Sequence, residues 1–62
     1  MFDIDPKILI GADPRVLGAA LKIAYADVPE DRAQHVSGVS VYVWRAQSAE
    51  IMELAQRIRV KA

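Results

Sequence analysis

The sequence predicts a small all-α fold, three helices behind an extended N-terminal arm, and three observations carry that expectation. Asp13-Pro14 opens a segment whose apolar residues recur at helical spacing. Val28-Pro29 opens a second, shorter segment. Ser40 stands ahead of a third, in which Val41, Trp44, Ser48, Ile51, Ala55 and Ile58 project as one stripe. The chain reads as a single domain over 1–62, with the arm at 1–12 and the helical body at 13–62.

The arm begins with alternation, Phe2 and Ile4 against Asp3 and Asp5, and continues into a short strand-like run near Ile8–Ile10 that Gly11 ends. In the first helix Asp13 can accept from free backbone N–H groups. Pro14, at the first helical position, loses nothing by lacking its own N–H. Val16, Leu17, Ala20, Leu21, Ile23 and Ala24 extend the pattern to about Ala26. Gly18 interrupts it at a cost of about 1 kcal/mol relative to alanine, and a close helix–helix crossing is the expected reason. The second helix is expected from Pro29, with Glu30 and Asp31 in its first turn where the helix dipole favours carboxylates, to about Val36.

Residues 37–46 point two ways. Val39, Val41 and Val43 alternate with Ser40, Tyr42 and Trp44, and these are strand-forming types. A strand at 38–44 would give a small α+β fold, pairing with 7–10 or with its twin in a second chain. Ser40 as an N-cap gives instead one long helix to about Ile58, with Trp44 in its core face.

Composition removes whole classes of function. With 62 residues and no cysteine, the chain has no disulfide, zinc ribbon or thiol nucleophile. A chain of about 60 residues buries only roughly 60% of its unfolded surface, so self-association is the remaining route to added stability. His35 is the only histidine and cannot by itself build a metal site or a His-based triad. Asp27, Glu30 and Asp31 cluster as a solvated helix start rather than a catalytic pair. No phosphate-binding glycine loop is present. The expectation is a protein with no catalytic residues, no cofactor and no metal. Eight basic and eight acidic residues cancel, so indiscriminate coating of nucleic acid is excluded. No apolar run approaches the roughly 20 residues of a membrane span, and no signal-peptide pattern opens the chain. Cytoplasmic residence without membrane contact is the default.

Residues 29–47 resemble the helix-turn-helix of small bacterial, plasmid and phage regulators. The resemblance rests on Val28-Pro29 opening the second helix, Gly38-Val39-Ser40 as turn and cap, and Tyr42 to Arg45 early in the next helix. It departs from that pattern at Gln34 and Ser37, where apolar residues are usual, with Ala33 and Val36 one place early, and at Gln47, a core position in such motifs. What the resemblance implies is a transcriptional or excision-type regulator that binds double-stranded DNA, with Arg32, Ser40, Tyr42, Arg45, Gln47 and Ser48 as the DNA-binding set. Specificity would come from Tyr42, Arg45, Gln47 and Ser48; affinity would come from Arg15, Lys22, Arg32 and Arg45, with the basic tail Arg57, Arg59 and Lys61 as a further source. A homodimer is expected, using the arm and the C-terminal half of the last helix. The runner-up is a protein–protein interaction module, an inhibitor, adaptor or virion component, dimerising through the valine-rich strand. Lys7-Ile8-Leu9-Ile10-Gly11-Ala12-Asp13-Pro14 is also similar to the opening of response-regulator receivers, but that fold needs a much longer chain and a later acceptor aspartate.

Overall fold

The computed structural model describes Lys7 and residues 11–61, the last two by their backbone alone. The expected arm, with its strand near Ile8–Ile10, lies outside the described residues apart from Lys7, Gly11 and Ala12. The rest is helical: α1 over Pro14–Ala26, a 3-10 turn over Glu30–Arg32, α2 over Ala33–Ser37 and α3 over Val41–Lys61. Among the described residues there is no strand.

Helix α1 starts where Asp13 caps it, the carboxylate accepting from the Arg15 N–H at 2.8 Å. It ends at Asp27, a non-glycine residue in the left-handed region at φ 52°. The Asp27 N–H donates to the Ala24 carbonyl and the Val28 N–H to the Ile23 carbonyl, satisfying two of the last turn's free acceptors. Pro29 is extended and stands one residue before the next element rather than inside it. That element opens as a 3-10 turn, with the Arg32 N–H on the Pro29 carbonyl at 3.0 Å, and becomes α-helical only from Ala33.

Gly38 closes α2 at φ 73°, a conformation that strains residues with a Cβ. Ser40 then starts α3: its carbonyl accepts from the Trp44 N–H at 2.9 Å and its hydroxyl from the Val43 N–H at 3.3 Å. Val41, Tyr42 and Val43 therefore lie in a helical first turn, which overturns the strand at 38–44 and the valine-edge dimer built on it. Local β propensity spans only about 1 kcal/mol; capping plus burial of the helix further on outweighs it.

The core lies between α1 and α3. Val16, Ala19, Ala20, Ile23 and Ala24 of α1 meet Ile51, Leu54, Ala55 and Ile58 of α3, and Ala33 closes one end. Half of these side chains are alanine, so the facing helix surfaces are shallow and interlock around Ile23, Ile51 and Ile58. Gly18 is not part of any close crossing: a Cβ there would meet nothing within 4 Å among the described residues. Alanines do what the glycine was expected to do.

The buried arc of α3 is rotated by roughly 40° from the expected stripe, at ~100° per residue. Leu54 enters the core, while Val41 falls outside it at 47% exposure. Trp44 is half-buried, packed on the core from one side and open on the other to a cavity of about 360 Å³ shared with Glu30 and Met52. Ser37 is buried despite its polarity, and its hydroxyl donates to the Gln34 carbonyl at 2.9 Å. An internal hydrogen bond makes that position tolerable without an apolar side chain. Ala33, not Gln34, supplies the small apolar contact of α2.

Candidate nucleic-acid interface

The turn between α2 and α3 and the first turns of α3 bring together Ser40, Tyr42 and Arg45 of the expected set. Tyr42, Arg45, Ala46 and Ala49 project from a single outward strip, all exposed, and Tyr42 is 84% exposed. Their i, i+3, i+4, i+7 spacing is the condition for sharing a helix face. Ser40 is exposed at the head of this strip and is occupied as the cap of α3.

Gln47 and Ser48 do not join them. Both are half-buried on the flanks of the core-facing arc. Ser48 lines the cavity beside Trp44 and Met52, and Ala49 shares its rim. Ala46 and Ala49 join Tyr42 and Arg45 opposite the core-facing stripe, where a helical projection of the sequence also places them. They carry no chemistry of their own, and no signal beyond helical phase marks them.

Supporting cations lie on neighbouring elements. The Lys22 side chain passes over Gly38, where a Cβ would come within 2.5 Å of its ammonium group. A cation is favoured there by the free carbonyls ending α2. Arg32 and His35 are exposed and line a groove floored by Val28, Pro29 and Val36. Arg15 is exposed and pairs with Asp13 at 3.5 Å. The Arg15 backbone N–H, followed by its side chain, holds the Asp13 carboxyl below its ordinary value of 3.8. Beyond Ala49 the outward face of α3 turns acidic and polar with Glu50, Glu53, Gln56 and Arg57. Among the described residues that half offers no exposed apolar seam for a dimer.

Arg59 behaves differently from its grouping with a basic tail. Its Nη2 donates to the Val28 carbonyl at 2.6 Å and to the Ile23 carbonyl at 3.2 Å. Its Nε lies 3.8 Å from Asp27, too far for a hydrogen bond, and is buried without a partner. The side chain is 19% exposed. Arg59 thus caps the C-terminal end of α1 from α3. The signal in the sequence was its position, four residues after Ala55 and eight after Ile51, on the edge of the core-facing arc.

Among the described residues no three His, Asp or Glu side chains converge as metal ligands, and no helix is long and apolar enough to cross a membrane. No protein-family model matches the chain, and no significant match is found among curated proteins or solved structures.

Proposed function

We propose that the chain is a small helix-turn-helix regulator, transcriptional or excision-type, that binds double-stranded DNA with the N-terminal half of α3. The observation carrying this reading is the outward strip of α3. Four exposed side chains, one a tyrosine and one an arginine, follow directly on a glycine turn and a serine cap and take no part in the core. A helix presented in this way can lie in a major groove, where its first turns reach base edges.

The surroundings fit the same use. Val41 and Tyr42 begin a 21-residue helix, and the backbone N–H groups of such a first turn are suited to an adjacent phosphate. Lys22 lies beside that turn and Arg32 on the element before it, within the reach of long side chains to a sugar–phosphate backbone. Glu50 and Glu53 mark where the contact would stop, since carboxylates repel phosphate.

A neutral domain with so few cations makes few phosphate contacts, so we infer that it works as a homodimer in the cytoplasm, doubling them at two half-sites. Titration of a labelled random-sequence duplex, followed by anisotropy at low and at raised salt, tests the reading. Binding at low salt that weakens steeply as salt rises is the expected result. If no duplex is retained at low salt, the proposal fails and the exposed strip belongs to a protein partner.

A further inference from the structure

We propose that the α3 strip selects duplex sites in which a guanine has a thymine within two base pairs of it; this rests on the DNA-binding reading above. The reason is what the fold leaves on the strip. Glutamine is the side chain that pairs bidentately with adenine, and serine hydrogen-bonds to several bases. Both are half-buried and lie off the exposed strip, Ser48 bordering the cavity beside Trp44 and Met52 whose rim Ala49 shares. Arg45 remains as the forked donor, and an arginine fork matches the O6 and N7 acceptors of guanine.

Next to it the strip is bare. Ala46 and Ala49 are exposed and offer only methyl groups, whose counterpart in the major groove is the C5-methyl of thymine. Arg45 and Ala49 are separated along the helix by about 6 Å, close to two base-pair steps of about 3.4 Å. Tyr42 stands at the other end, one turn before Ala46, where its hydroxyl serves a base or a phosphate without changing this pattern. The strip ends at Glu50 and Glu53, so the reading frame is a few base pairs long.

The test uses the full chain and sites selected from a random duplex pool. On the best site, replacing the guanine by 7-deazaguanine removes only the N7 acceptor, and replacing the thymine by deoxyuridine removes only the methyl group. The expected losses in affinity are about 10-fold for the first and about 4-fold for the second. In Arg45→Ala, whose helix content is checked by circular dichroism, the deazaguanine substitution should become silent while the deoxyuridine loss persists. Selected sites without a shared guanine, or base analogues without effect while duplex binding continues, overturn the inference alone. An adenine preference that disappears in Gln47→Ala would likewise overturn it and assign readout to Gln47. Absence of any duplex binding removes the DNA reading itself, a distinguishable outcome.

Discussion

Replacing Arg59 by alanine removes a side chain that ties α3 to the C-terminal end of α1. Two charged hydrogen bonds disappear, at 2.6 Å to the Val28 carbonyl and 3.2 Å to the Ile23 carbonyl. A hydrogen bond to a charged group contributes about 1.5–3 kcal/mol. The Ile23 carbonyl keeps the Val28 N–H at 3.3 Å, so its loss is partial. The Asp27 carboxylate, 92% exposed and 3.8 Å away, adds little because solvent screens it. Losing the unpartnered, buried Nε recovers some desolvation. The net expectation is a destabilisation of about 2–4 kcal/mol. Against a total of about 3–9 kcal/mol for a domain of this length, that is a large share. Thermal unfolding followed at 222 nm should show Tm falling by roughly 10–25 °C. Arg57→Ala, at an exposed neighbouring position, should shift stability by no more than about 0.5 kcal/mol. Equal, small effects for the two arginines would refute a capping role and return Arg59 to the solvated tail.

Gly18→Ala should stabilise the domain by about 0.5–1 kcal/mol, since a mid-helix glycine is replaced with no neighbour in the way among the described residues; a loss in urea melts would mean that something packs on Gly18 after all. Gly38→Ala should cost about 1–2 kcal/mol at φ 73°, and an unchanged urea midpoint would contradict the left-handed turn. Ser40→Ala should cost about 1 kcal/mol through the lost cap of α3, read from the same melts. The acid limb of stability should involve Asp13. Its folded value is the lowered one, so its contribution is complete above the ordinary value and is lost as pH falls through the folded one. Asp13→Asn should flatten the stability profile in that acid window, and an unaltered profile would show that the Arg15 contact does not survive in solution.

Much of the fold was legible because it is written in local chemistry. Asp13-Pro14 marked the start of α1, and Gly38 with Ser40 marked the turn and the cap before α3. These residues act within three or four positions of themselves, a range that sequence reports directly. The phase of α3 was less legible. Val41, Ser48 and Ile58 make as regular a stripe as the observed arc through Ile51, Leu54, Ala55 and Ile58. Only the position of α1 decides between them. That same 40°-scale rotation, at ~100° per residue, drew Gln47 toward the core and left Ser48 at its flank, while Tyr42, Arg45, Ala46 and Ala49 lie outward in either phase. Gly18 misled because glycine on a helix suggests close approach, whereas Ala19, Ala20 and Ala24 already provide shallow packing surface. Arg59 was missed because its partners, Ile23 and Val28, are backbone carbonyls more than thirty positions away. No side-chain pattern announces them.

The most direct test of the DNA-binding claim is amide chemical-shift mapping of the labelled chain on titration with duplex DNA at low salt. Perturbed amides should cluster at Ser40, Tyr42, Arg45, Ala46 and Ala49, with weaker effects at Lys22 and Arg32, while Glu53, Gln56 and Arg57 stay unmoved. Shifts centred on the C-terminal half of α3, or no shifts at saturating duplex, would contradict it.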